Sequence, residues 1–449
     1  MAEEKTELIG SHLRQAKFSR DITDLKKNLQ ETRAELTELK QLLAPREKRP
    51  WLRRWFRRSS STKPGKLGFW KRLERSIRKR RDVILGRKPA AVSPEMQRQI
   101  DLIKSSGYFN ADWYCRRYSK AAAAADPVEH YVRIGAQKNM DPCPLFDTKM
   151  YRLAHDLAEG ENPLIHFLNA GAKATAGAYP NEEAFRKIQA GFHERTSIEI
   201  IKDERKGNRR FAVFLQCSAN ANHREWFTQI PRTWDLLVNL FQDQSEAPEG
   251  SDLVMRQTGG GCQAAVIAYM MKHCPEILRS YDYWMALDDD ILTSVDDLNL
   301  LFQIVNDHQL DMAQPSLTRD SCCVYPVLFA DPLGGMRKLN ATESMVPIFS
   351  RRLIDASVSL FSESISGGAI DLVMGKITRT QLGTDPTVID AVSVRHCKKV
   401  DYSGGGYYQF LQKVKISTLV ESRLLVAKYG SESTIFELGK EPPDRFRPF

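Results

Sequence analysis

At 449 residues, 42% hydrophobic and 27% charged, the chain has the length of two or three domains and a globular composition, which excludes a disordered or fibrous protein. No apolar run is long enough to cross a bilayer, and the opening MAEEKTELIG is too polar for a secretory signal; eight cysteines without a CxxC pair read as reduced thiols of a cytosolic protein. The net charge of +10 is local: the stretch from Arg46 to Lys88 carries 18 Lys and Arg against three acids, or +15, so the remainder sums to −5.

Residues 1–45 hold the first element. Ile22, Leu25, Leu29, Thr32, Leu36, Leu39 and Leu43 recur at alternating spacings of three and four, a heptad seam with one polar break, which predicts a helix from Ser19 to Leu43. Two readings stay open: an amphipathic helix packed on its own chain, and a short coiled coil that makes a homodimer. Residues 46–93 follow, with Trp51, Trp55, Phe56, Phe69 and Trp70 set among the basic residues. An anionic membrane surface suits residues 46–88, each Lys or Arg contributing about 1 kcal/mol while the rings enter the headgroup layer. Nucleic-acid phosphates are the less favoured partner. A solvated linker is the plain alternative, but a linker has no need of exposed tryptophan.

Residues 94–190 repeat themselves. FNADWY (Phe109 to Tyr114) aligns with FDTKMY (Phe146 to Tyr151), and DPVEHYVRIGA from Asp126 aligns with NPLIHFLNAGA from Asn162. Each unit predicts an aromatic-anchored helix, then an Asp/Asn-Pro start and a second helix closed by Gly135 or Gly171. His130 and His166 recur at one position of the unit, which marks them as packing or capping residues rather than metal ligands. The module carries no catalytic set. It resembles a repeat of bacterial cell-surface polysaccharide glycosyltransferases, a likeness that implies a setting in surface glycan assembly and not a reaction.

From Asn208, within a domain taken as 205–449, strands alternate with helices. FAVFLQCSA, WDLLVNLFQD, YDYWMALDDD, DMAQPSL and TVIDAVSVRH read as strands; the stretches after GGGC and around DLNLLFQIVNDHQL read as helices. This predicts a mostly parallel sheet with ligands bound beyond the carboxyl ends of its strands. Asp288, Asp289 and Asp290 close one such strand. A divalent cation can neutralise clustered carboxylates there, and hard oxygen ligands suit Mg²⁺ or Mn²⁺. Alternation along a strand aims Asp288 and Asp290 at one site and Asp289 elsewhere. This is the Asp-x-Asp spacing of nucleotide-sugar transferases, in which the metal grips the leaving diphosphate. An acidic helix N-terminus is the plain reading of the same residues.

Two further candidates lie downstream. Asp371 follows the small-residue turn SESISGGAI, where Gly367 and Gly368 permit a close approach to ligand, and it could accept a proton from an acceptor hydroxyl; a helix-start role is its alternative. His396 ends the last strand as a possible third metal ligand, or as an ordinary buried or surface histidine.

Five motifs in order, LDDDI, QPSL, TESMVPIFSR, SGGAID and VIDAVSVRH, resemble a family of plant and bacterial proteins read as glycosyltransferases and long catalogued as a domain of unknown function. The likeness covers Phe211 to His396. It implies a GT-A-like Rossmann-type mixed sheet with helices on both faces, metal held by Asp288, Asp290 and His396, and Asp371 as base. It also implies donor binding near Asp289, and substrate contacts at Gln314, Glu343, Gly367 and Gly368. Gly368 departs from the family, which carries a tryptophan there. The Gly-rich TGGGCQ is not a P-loop, since no GK[ST] follows.

Together these readings predict an inverting, Mn²⁺- or Mg²⁺-dependent glycosyltransferase. It would move sugar from a nucleotide-sugar donor to a surface polysaccharide or lipid-linked glycan, in the cytoplasm at the inner membrane face. The alternative is a non-catalytic glycan- or partner-binding protein with a degenerate transferase domain.

Overall fold

A computed structural model describes residues 92–218, 231–242, 245–259, 262–323, 325–399, 401 and 405–439. The heptad helix and the basic aromatic segment lie outside these residues. Chain contacts divide the molecule into residues 1–91 and 92–449. Repeats and sheet therefore belong to one unit.

The repeats form a small helical layer. Helix α1 (Pro94–Ser106) leads into α2 (Ala111–Arg117) and α3 (Pro127–His130) of the first repeat, then α4 (Thr148–Ala154) and α5 (Pro163–Asn169) of the second. The repeated polar residues act as N-caps: Asn110 accepts from Trp113 N, Asp147 from Met150 N, Asp126 from Val128 N, and Asn162 from Leu164 N. Pro127 and Pro163 occupy first-turn positions, where no amide hydrogen is needed. The recurrent histidines pair with the recurrent tyrosines. Tyr114 and His130 Nδ1 share a hydrogen bond of 3.0 Å, and Tyr151 and His166 Nδ1 one of 2.9 Å.

The two glycines differ. Gly171 has φ +86° and sits just past α5, as expected of a closing glycine. Gly135 has a helical φ of −62°, and the chain runs on to Lys138 before turning at Asn139 with φ +52°. Gly135 is glycine for another reason: a Cβ there would overlap the Tyr114 hydroxyl and the Tyr131 ring.

Ten strands make one mixed sheet among the described residues: β1 (Ser197–Asp203), β2 (Phe211–Cys217), β3 (Trp234–Leu240), β4 (Leu253–Thr258), β5 (Tyr283–Asp288), β6 (Ile291–Leu292), β7 (Met312–Leu317), β8 (Met336–Lys338), β9 (Ile348–Ser350) and β10 (Thr387–His396). Their order is β1-β4-β3-β2-β5-β9-β7-β10-β6, with β8 beside β10. Strands β4, β3, β2 and β5 run parallel, as do β7 and β10; β9 is inserted antiparallel between β5 and β7. The fold is thus a Rossmann-type mixed sheet with helices on both faces. Strand order reverses between β2 and β5, which makes their carboxyl ends the topological switch point.

Alternation builds two cores. Val213, Leu215 and Cys217 face one; Ala212 and Phe214 face the other. Helix α8 (Val295–Asp307) covers the first through Leu298, Leu301, Phe302 and Val305. On the second lie α7 (Gln263–His273) and α9 (Ile370–Ile377). Burying each such Leu or Phe contributes roughly 1.5–3 kcal/mol.

The repeats join the α/β part through α6 (Glu182–Arg195) and the last helix, α11 (Thr418–Tyr429), which follows α10 (Gly406–Lys413). Arg423 of α11 pairs with the buried Asp141 (2.5 Å) and lies over the Trp113 ring. The Tyr179 hydroxyl donates to the Lys415 carbonyl and accepts from Ser417 N, while Ser417 Oγ donates to Asp147. No helix among the described residues is long and apolar enough to cross a membrane.

Candidate active site at the carboxyl end of the sheet

Strand β5 ends at Asp288, opposite Gln216 of β2, so the acids stand at the switch point. Asp289 and Asp290 form the turn into β6, and β6 pairs with the end of β10, setting Ile291 opposite His396. Cys397 N donates to the Asp290 carbonyl. This pairing brings Asp290 Oδ2 within 3.2 Å of His396 Nε2. His396 Nδ1–H donates to the Cys322 carbonyl, which fixes the ring and leaves Nε2 facing the acids. Asp289 points away, accepting from Ser218 N at 2.8 Å and pairing with Lys398 at 3.3 Å. Its divergence comes from the turn and not from strand alternation, because regular strand ends one residue earlier.

Glu343 enters from the segment before β9. Its backbone N–H donates to Gln314 Oε1 (2.6 Å), a side chain fully buried in β7, and its carboxylate accepts the Cys323 thiol at 3.6 Å. Gln314 therefore holds the Glu343 backbone within the chain. Asp371 lies in the first turn of α9, behind Ala369 with φ +63°, and accepts from Leu372 N. Its place is that of a helix-start residue, close enough to Glu343 to influence its charge.

The preceding turn is pinned from α11. Glu421, fully buried, accepts from Ser364 Oγ, Ile365 N, Ser366 N and Ser366 Oγ, and also from Gln189 of α6. Gly367, with φ +78°, has open space where a Cβ would stand. At Gly368 a Cβ would come within 2.6 Å of the Ser422 and Thr418 hydroxyls and 2.9 Å of the Thr418 carbonyl. A side chain at Gly368 would therefore meet α11, and an aromatic ring has no room there, while the glycine itself is half-buried.

The electrostatics follow from burial and crowding. Burial, reinforced by the charge of Asp290, pushes Asp288 up to about 8. Burial raises Glu343 to about 7, with Asp371 adding to the effect. Asp371 is itself raised by burial to about 7, against opposing backbone hydrogen bonds. Burial also opposes the charge on Asp290, but the His396 hydrogen bond and charge, aided by Lys398, hold it below the usual range. Conversely, Asp290 and the Cys322 carbonyl overcome burial to lift His396 to about 9. The end of the sheet holds an Asp290–His396 ion pair and three acids, Asp288, Glu343 and Asp371, that burial makes harder to ionise.

The fold thus gathers Asp288, Asp290, His396, Glu343 and Asp371, residues drawn from four of the five motifs, and the fifth supplies Gln314. It does not bring Asp289 or Gly368 into that group. Among the described residues no three His, Cys, Asp or Glu side chains already stand close enough to hold a metal ion. Asp290 and an oriented imidazole are adjacent, Asp288 is electrostatically coupled to both, and Mg²⁺-type sites take one or two protein carboxylates and leave the rest to water and phosphate. Sequence reading missed Cys323, Lys398 and Glu421. Only Lys398 left a signal, two residues past His396.

No protein-family model matches the chain, and no curated protein does. Among solved structures the fold is similar to a crystal structure of S. aureus TarS 1-349, at 11% identity and TM-score 0.29, over 41% of this chain and 59% of that one. It is also similar to S. aureus TarS 1-349 in complex with UDP-GlcNAc, at 12% identity and TM-score 0.31, over 46% and 65%. The chain spans less than two thirds of the length of these neighbours.

Proposed function

We propose that the protein is a nucleotide-sugar glycosyltransferase that depends on Mn²⁺ or Mg²⁺. One observation carries the reading: the acids and histidine of separate motifs converge at the switch point of a doubly wound sheet, where at least three carboxyls are buried against their preference. Asp290 and His396, with Asp288, would hold the cation. Bound there, the metal would supply Lewis-acid stabilisation of the departing diphosphate.

The chain's own groups supply the rest. Asp371, raised toward neutrality, is suited to accept the proton of an acceptor hydroxyl. Glu343 stands beside it as a second carboxyl on the acceptor side. A single base acting opposite the leaving group gives inversion. The acceptor class, a surface polysaccharide or lipid-linked glycan, rests on the repeat resemblance. Placement at the inner membrane face rests on residues 46–88, and dimerisation on the heptad helix.

The test is transfer or slow hydrolysis with a panel of nucleotide sugars plus Mn²⁺. Asp371→Asn should reduce turnover by about 10²–10⁴-fold, and Asp290→Ala should abolish the metal dependence. Full activity in both variants would remove the reading. The non-catalytic alternative draws on the Gly368 position, where a ring has no room; it predicts no turnover with any donor and no Mn²⁺-dependent stabilisation by a nucleoside diphosphate.

A further inference from the structure

We infer that Lys398 is the protein cation that receives the donor's diphosphate, and that Asp289 is the residue that positions it. The inference rests on the donor-site reading above and adds to it a phosphate ligand outside the metal-binding and proton-transfer groups.

The charge distribution leads there. Even with Asp288, Glu343 and Asp371 raised by burial, the site must accept a highly anionic diphosphate beside the Asp290 carboxylate. A protein cation at its rim would offset part of that charge. Two side-chain cations lie against the acids, His396 and Lys398. Both nitrogens of His396 are engaged, one by the Cys322 carbonyl and one by Asp290. Lys398 is arranged differently. Its ammonium touches Asp289 Oδ1 at 3.3 Å, and its side chain is 51% exposed while that of Asp289 is 15% exposed. An ammonium has three donors, and this contact uses one.

Asp289 is in turn fixed from the sheet, because its other oxygen takes Ser218 N at the end of β2. The result is a largely buried, hydrogen-bonded anchor carrying a half-exposed ammonium, two residues past His396 and close enough to Asp290 to influence its charge. An exposed lysine–carboxylate pair by itself adds little to stability. A tethered ammonium at the rim of a metal site suits phosphate oxygens, which it can meet without displacing the metal ligands.

Inorganic pyrophosphate is the probe, since it carries neither base nor sugar. Calorimetric titrations of the full chain would measure Mn²⁺ alone, then pyrophosphate in saturating Mn²⁺. Lys398→Gln should weaken pyrophosphate about tenfold, and Lys398→Arg should recover most of that loss. Mn²⁺ alone should bind Lys398→Gln as well as or better than wild type, because a repelling positive charge has gone. Asp289→Asn should leave Mn²⁺ binding intact and weaken pyrophosphate by about threefold through the freed ammonium. A purely structural role for Lys398 predicts parallel losses for metal and pyrophosphate. That result, or unchanged pyrophosphate affinity in Lys398→Gln, overturns the inference while the donor site stands. If wild type binds no pyrophosphate with Mn²⁺, the donor-site reading falls and this inference with it.

Discussion

The helical repeats and the carboxyl end of the sheet both bury polar side chains, and they treat them in opposite ways. In the repeats three such sets are matched in pairs, Tyr114 with His130, Tyr151 with His166, and Asp141 with Arg423 from α11, although the buried Asp147 beside them is raised by burial and by Asp141. At the sheet end, Asp288, Glu343 and Asp371 are pushed to about 8, 7 and 7 with too few cations nearby. Folding alone favours the first arrangement. The second raises the free energy of the folded chain wherever those acids ionise, and it makes sense when something that arrives later supplies the missing positive charge.

The widest break in that comparison is at Arg423. Removing it leaves Asp141 buried without its partner, so Arg423→Ala should destabilise the chain by about 3–5 kcal/mol in urea unfolding. A double change of Arg423 and Asp141 to methionine and leucine should recover part of the loss, since it avoids the orphaned ion but leaves Thr148 N without its acceptor. A single-variant loss below about 1 kcal/mol would show that the pair is not the clamp described.

The opposite sign is expected at the sheet end. The Asp371 carboxyl titrates near 3.8 when unfolded and at about 7 when folded, so the folded chain holds the extra proton between those values. Its destabilising effect is absent below about pH 4, grows across the window and is complete above about pH 7. Asp371→Asn, assayed in EDTA, should therefore be more stable than wild type by about 1–3 kcal/mol at pH 8.5 and no different at pH 4. Equal stability at both pH values would mean that the carboxyl is not buried as described. A variant that gains stability as it loses turnover would separate the site from the scaffold.

A smaller effect probes the matched side. Tyr114→Phe and Tyr151→Phe should each cost about 1 kcal/mol, and the costs should add, since each removes the tyrosine–histidine hydrogen bond of a different repeat, with a weaker contact to Met140 Sδ lost as well at Tyr114. Gly135→Ala should cost about 2 kcal/mol, because its methyl would press on the Tyr114 hydroxyl.

What could be read from the sequence divides along physical lines. The parallel strands are apolar runs bounded by turn residues; Phe211, Trp234 and Thr387 begin strands where those runs begin, whereas Tyr283 and Met312 begin theirs two residues and one residue inside the runs. Strands β1, β4, β8 and β9 left weaker marks. SIEIIKD is an exposed edge with polar residues on both faces, and IFS and MRK are three-residue strands defined by their neighbours alone. The acids announced themselves as a charge cluster after an apolar run. Their meeting with His396 depends on the β6–β10 pairing, a contact between residues about a hundred positions apart that no local pattern encodes. Glu421 gave no signal at all: within α11 it reads as an ordinary surface glutamate, and only the packed turn at Ser364–Ser366 makes it a buried acceptor.

The finest contrast lies between the two glycines that occupy the same position in the repeats. Gly135 is glycine for space, whereas Gly171 is glycine for conformation: its φ is +86° and nothing stands within 4 Å of where a Cβ would be. Left-handed backbone costs an alanine about 1 kcal/mol, so Gly171→Ala should lose roughly that amount with no effect on Tyr151 or His166. Asparagine tolerates the left-handed region better, and Gly171→Asn should fall between glycine and alanine, within about 0.5 kcal/mol of wild type. At Gly135 the order should not depend on backbone preference, because the backbone there is already helical, and asparagine should be worse than alanine since it is larger. Unfolding of the four variants decides it. Asparagine ranking better than alanine at position 171 and worse at 135 would show that aligned glycines serve two different physical ends, whereas the same ranking at both sites would return them to a single helix-closing role.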